Sequence, residues 1–243
     1  MDAPLIETKG LHKWYSGVHA LKNVDFEVFK GEVVGLVGDN GAGKTTLIKI
    51  LSGVHEPDEG SILIEGRKVA IATPKQAMRL GIETIYQTNS MVPTMSIARN
   101  LFVGREPLSV SLFGFGFMDH GRMRGDSVKA IADVDLHLRS PDALVGELSG
   151  GQRQGVAIAR AMYFKSKVLI LDEPTNHLSV KETNKVIGFV KALKNQGVTG
   201  IFISHNMPQV FQTCDRVVAM ARGEIVFNKP VAETTIDEVA EYM

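Results

Sequence analysis

The stretch Gly38-Asp39-Asn40-Gly41-Ala42-Gly43-Lys44-Thr45-Thr46 follows the apolar run Val33 to Val37 and leads into the helix-like Leu47 to Leu51. A chain that passes from a strand through so glycine-rich a turn into a helix start has few folds open to it. The glycines at 38, 41 and 43 let the amides of Asn40, Ala42 and their neighbours through Thr46 converge on an oxyanion. The Lys44 ammonium can reach terminal phosphates, and the Thr45 hydroxyl can ligate Mg²⁺. The spacing matches the P-loop template and not the dinucleotide fingerprint G-x-G-x-x-G. A nucleoside triphosphate is therefore the expected ligand, against the plainer reading of a turn whose glycines only supply positive φ.

No second P-loop occurs, so the 243 residues are expected to form one domain, or a core with a subdomain, around a substantial apolar interior. Lys plus Arg and Asp plus Glu balance at 27 each, which leaves no charge excess to attract nucleic acid or an anionic membrane. No nucleic-acid partner is expected. Cys214 is the single cysteine, which excludes an intrachain disulfide and suits a small residue buried in a reducing compartment. The opening Met1 to Glu7 lacks the order of a secretory signal, and no apolar run is long enough to span a bilayer, so membrane contact is expected only through a partner.

Short apolar runs at Val33 to Val37, Val168 to Leu171, Ile201 to Ile203 and Val217 to Met220 alternate with helical patterns. That arrangement predicts an α/β fold with a mainly parallel sheet covered on both faces. Lys181 to Gln196 reads as a helix with Val186, Val190 and Leu193 on one face, stopped by Gly197. A second helix starts near Pro208 and buries Val210 and Phe211. Alternation in Leu5 to Thr8 and Val24 to Val28, around the turn Trp14-Tyr15-Ser16-Gly17, predicts a small antiparallel sheet. From Asn89 to Gly155 helix signals dominate, implying an inserted helical subdomain.

Two further constellations carry chemistry. Val168 to Leu171 ends in Asp172-Glu173, and the C-terminal end of a buried parallel strand is where α/β proteins place ligand groups. Asp172 suits Mg²⁺ and Glu173 suits a general base for water; alone, the pair could equally cap the following turn. Leu148-Ser149-Gly150-Gly151-Gln152 opens a helix and makes a second anion-accepting N-terminus. The simplest geometry that uses both phosphate devices is a head-to-tail pair of protomers, each nucleotide held between one P-loop and the other protomer's Ser149 turn.

P-loop, Leu-Ser-Gly-Gly-Gln and the Asp-Glu strand, in this order over essentially the whole chain, resemble the ATP-binding cassette (ABC) ATPases. The resemblance implies an ATP hydrolase that uses ATP and Mg²⁺, with a nucleotide-binding core over about 1–88 and 156–243 and a helical subdomain over 89–155. It further implies that Tyr15 stacks on adenine and that Gln87 touches Mg²⁺ and the attacking water. His205, after the strand Gly200 to Ser204, is implied to contact the γ-phosphate and orient the water held by Glu173. Each has a plainer alternative: a turn-capping aromatic, a solvated loop amide and a structural histidine.

Gly17-Val18-His19-Ala20-Leu21, Gly53 to Asp58, Ser96 to Phe102 and Ile203 to Met207 are similar to ATPase subunits of bacterial fructose- and ribose-class importers. The implied role is energising sugar import from the cytoplasmic face of the inner membrane. The implied partners are a second copy, membrane permease subunits and, indirectly, a sugar-binding protein. Asn176-His177-Leu178 instead resembles ABC-F translation factors, making a non-transport switch the alternative; those factors ordinarily carry two cassettes and a charged linker. Ser179 stands where the family usually has Asp. The segment Leu112 to Met118, rich in Phe and Gly, suits either a permease contact or an inward-folded loop.

Overall fold

The computed structural model describes residues 3–86, 91–112, 115–138 and 140–243. In chain order the elements are β1 (Ile6–Tyr15), β2 (Val18–Val28), β3 (Val33–Val37), α1 (Lys44–Leu51), β4 (Glu59–Ile64), β5 (Arg67–Val69), α2 (Pro74–Arg79), β6 (Ile82–Ile85) and α3 (Ile97–Phe102). There follow β7 (Leu108–Leu112), β8 (Phe115–Met118), α4 (His120–Ala132), α5 (Gly150–Tyr163), β9 (Val168–Asp172) and α6 (Val180–Asn195). The chain closes with β10 (Thr199–Ile203), α7 (Met207–Thr213), β11 (Arg216–Ala221), β12 (Glu224–Pro230) and α8 (Ile236–Ala240). Two compact units result, one of Met1–Tyr86, Ser166–Pro174 and Val190–Met243, the other of Gln87–Lys165 and Thr175–Phe189. Residues 156–165 and 175–189, assigned to the core on sequence, cluster with the second unit.

The first unit holds a six-stranded sheet of order β12-β11-β3-β10-β9-β6, parallel except for the edge strand β12. All five residues of β3 are buried, as a central strand covered on both faces requires. Val34, Leu36, Ile170, Ile201 and Val218 join a core with Leu47 and Ile48 of α1 and with Leu11, Leu21 and Phe26 of a second, antiparallel sheet, β2-β1-β4-β5. On the other face α7 approaches so closely that a Cβ at Gly35 would stand 2.3 Å from Val210. The small N-terminal sheet predicted from alternation is thus present with two more strands. Its first hairpin turns on Ser16 (φ 44°) and Gly17 (φ 87°), the left-handed pair that a two-residue turn needs.

The expected helix at 181–196 is α6, with Val186, Val190 and Leu193 buried. In α7, with Pro208 in its first turn, Val210 is buried as expected, while Phe211 is only half-buried. The second unit departs from a purely helical insertion, because β7 and β8 pair as an antiparallel hairpin. Its Leu108 and Phe117 are exposed, so these apolar residues mark no buried face for a sequence reading to find. Phe113, part of the expected permease contact, lies outside the described residues. The helices α3, α4 and α5 carry this unit's core, with Phe102 edge-on to Tyr163 and Phe164. No described helix is long and apolar enough to cross a membrane.

Candidate functional site

The loop between β3 and α1 takes its shape from residues without side chains. Gly38 (φ 140°) and Gly43 (φ 107°) are left-handed, and a Cβ on them would stand 2.2 Å from the Met220 carbonyl and 2.9 Å from the Ala20 carbonyl. Gly41 (φ 87°) borders open space, so its requirement is conformational alone. Asn40, Gly41, Ala42, Gly43, Lys44, Thr45 and Thr46 line a cavity of about 440 Å³. The buried Lys44 ammonium donates to the carbonyls of Gly38 at 2.6 Å and Asp39 at 3.0 Å. Burial pushes its pKa down, against the pull of Glu173, Asp39 and Asp172. A desolvated cation at the start of a helix fits a polyanion such as a triphosphate.

Strand order brings the other groups to this edge. β3 lies between β11 and β10, and β10 pairs with β9 so that Ile203 stands beside Asp172. Asp172 is pushed up by burial and by Glu173, with Lys44 opposing. Together with the Thr45 hydroxyl it offers the hard oxygen donors that Mg²⁺ takes. Glu173 leaves the strand in the left-handed region (φ 48°), its N–H bonded to the Ile203 carbonyl at 3.0 Å. That strained backbone aims the carboxylate at His205, whose Nδ1 stands 3.1 Å from Oε1 and 3.0 Å from Oε2. The hydrogen bond goes to Oε1, while the buried Oε2 has no hydrogen bond of its own.

In the second unit Ser149 caps α5 in a box with Gln152: Gln152 N–H donates to Ser149 Oγ at 3.4 Å, and Ser149 N–H donates to Gln152 Oε1 at 2.9 Å. Gly150 and Gly151 are hemmed in by the 178–182 segment, where Cβ atoms would come 2.3 Å from Leu178 and 3.2 Å from Glu182. Tyr15 ends β1 and packs edge-on against His55 with 5.5 Å between ring centroids. Gln87 lies outside the described residues. Several residues escaped the sequence reading. Val18, His19, Ala20, Arg222 and Gly223 also line the cavity, and Gly223 N–H donates to the Ala42 carbonyl at 3.0 Å. The pair Arg222-Gly223, left-handed at φ 51° and 88°, was readable as a hairpin turn, but its docking on the loop was not.

A lysine-bearing glycine loop at the end of a central parallel strand, with two carboxylates at the end of the strand next but one, defines a P-loop nucleotide-binding α/β protein. A family model described as ABC transporter matches residues 21–176. The chain is 43% identical to the xylose/arabinose import ATP-binding protein XylG of Sulfolobus acidocaldarius, over 98% of this chain and 93% of that protein. It is 42% identical to the fructose import ATP-binding protein FrcA of Rhizobium meliloti, over 88% and 84%. Against the ribose import ATP-binding protein RbsA of Caldanaerobacter subterraneus it is 37% identical over 99% of this chain but only 47% of that relative's length. Among solved structures, a nucleotide-free ATP-binding cassette from an ABC transporter superposes with a TM-score of 0.83 at 26% identity, covering 99% of this chain and 95% of that one. The chain belongs to the ABC transporter family, as an ATP-binding, ATP-hydrolysing member.

Proposed function

We propose that this chain energises the import of a sugar, hydrolysing MgATP at the cytoplasmic face of the inner membrane as a pair of copies bound to permease subunits. The observation that carries the reading is the convergence of Lys44, Asp172, Glu173 and His205 on one edge of the sheet. Its support for a sugar is the set of relatives named for xylose/arabinose, fructose and ribose import. Nothing in those relatives favours a translation switch. Lys44 and the loop amides hold the β- and γ-phosphates, Thr45, Asp172 and Gln87 take Mg²⁺, and Tyr15 stacks on adenine. Bound there, Mg²⁺ neutralises charge shared by the two terminal phosphates. Glu173 accepts a proton from water as that water's oxygen bonds to the γ-phosphorus, and the bond to the β–γ bridging oxygen breaks, leaving ADP and phosphate.

The nucleotide is completed by Ser149, Gly150, Gly151 and Gln152 of a second copy, so ATP joins two chains and phosphate release parts them. A sugar-binding protein acts from the far side of the membrane through the permease. Glu173→Gln tests the chemistry: turnover is expected to fall about 10²- to 10⁴-fold, the usual span for a lost general base, while ATP accumulates a dimer seen by light scattering. Normal turnover in that variant removes Glu173 from the mechanism. The sugar is tested on the detergent-solubilised complex with its permease, where a pentose- or hexose-loaded binding protein should stimulate ATPase activity. Indifference to every loaded binding protein overturns the sugar assignment.

A further inference from the structure

Ser179 and Glu182 close a capping box at the start of α6. Ser179 donates to Glu182 Oε2 through its N–H at 3.1 Å and its hydroxyl at 2.9 Å, and Glu182 N–H donates to Ser179 Oγ at 3.4 Å. The other carboxylate oxygen leaves this helix altogether. Oε1 accepts the Gly151 N–H at 3.3 Å, at the N-terminus of α5. The Ser179 amide and hydroxyl, then the Ser149 hydroxyl and the Gly151 amide, hold the Glu182 carboxyl down at about 2. One permanently charged carboxylate therefore serves two helix starts, and the Gly151 position lies against its stem.

The donor it takes at α5 is the Gly151 amide, with a single proton to give, close to the Ser149 hydroxyl that also favours the charged carboxylate. In the sandwich proposed above these groups face the γ-phosphate held by the second copy. We infer that Glu182 is a positioning residue that fills the Ser149–Gln152 turn with an internal anion, and that ATP-driven pairing exchanges this carboxylate for a phosphate. The inference rests on that sandwich. It gives the capping carboxylate an opposing effect: it keeps the turn formed in the separate chain, and it raises the ATP concentration at which two chains close.

The test titrates ATP against dimer fraction, by light scattering, in the full chain carrying Glu173→Gln to block turnover. Adding Glu182→Gln keeps the capping geometry, which glutamine also satisfies, but removes the charge. The half-saturating ATP concentration is expected to fall about tenfold, the scale of one unit-charge repulsion at a partly screened surface. Glu182→Asp, too short to reach Gly151 while still able to cap α6, keeps the charge and should give a smaller fall in the same direction. A merely structural carboxylate predicts the opposite, a loosened turn needing more ATP in both variants; that result, or no change in either, overturns the inference. If the chain with Glu173→Gln alone stays monomeric at saturating ATP, the sandwich itself fails and the inference falls with it.

Discussion

Gly38, Gly41 and Gly43 share a left-handed backbone but not a reason for it. At Gly38 a methyl group would meet the Met220 carbonyl at 2.2 Å, whereas at Gly41 it would meet nothing within 4 Å. Gly38→Ala should therefore cost several kcal/mol, and Gly41→Ala only about 1–2 kcal/mol of backbone strain, a difference that urea unfolding of the two variants resolves. Cys214 makes a second residue-scale case. Burial pushes its thiol up to about 12, so at pH 8 on the order of one molecule in ten thousand carries a thiolate. Iodoacetamide should label it only as fast as the protein unfolds, and rapid labelling of the native chain would contradict its buried position beside Gly35.

At the scale of elements, α6 is held from two directions. Its apolar face buries Val186, Ile187, Val190 and Leu193, and Leu193→Ala is expected to cost about 2–5 kcal/mol in denaturant unfolding. Its N-terminus is held by the Glu182 carboxylate, whose pKa is lowered from 4.5 to about 2 in the folded chain. A depressed carboxyl stabilises the fold fully above the unfolded value and loses that contribution as pH falls through the folded one. The stability gap between the parent chain and Glu182→Gln should then be constant above pH 5 and close between about 4.5 and 2, read from urea midpoints at each pH. A gap that widened on acidification would contradict the charged cap.

For the whole molecule, ligation should be visible as stability. ATP at a hundred times its dissociation constant adds about 2.7 kcal/mol, which for a chain of this size raises the melting midpoint by roughly 5–10 °C in the first unit. Lys44→Ala should abolish that rise, as measured by scanning calorimetry with and without MgATP. How far such a site could be read beforehand varied with the range of the interaction. Gly38 to Thr46 and Asp172-Glu173 were legible because each is a local pattern joined to an apolar strand. Glu182, His19 and Arg222 were not: Glu182 meets Gly151, 31 positions away, and His19 and Arg222 reach the cavity only because distant stretches of chain fold to line it with Ala42 and Thr46. The β7–β8 hairpin was missed in a segment read as helical, where its apolar Leu108 and Phe117 are exposed and mark no buried face.

The amino-acid order alone determined the central strands and the helices α6 and α7, the phosphate-binding turn, the acidic strand end and the start of α5, all set by steric preference and apolar periodicity over a few residues. Only the tertiary structure decided that β10 runs between β3 and β9, which puts His205 against Glu173, and that β11 lies on the other side of β3, where the 221–224 turn meets Ala42. The physical reason is that parallel strands are joined by crossovers, so their neighbours are chosen by how helices and sheets bury their apolar faces together, a choice no short stretch of chain encodes.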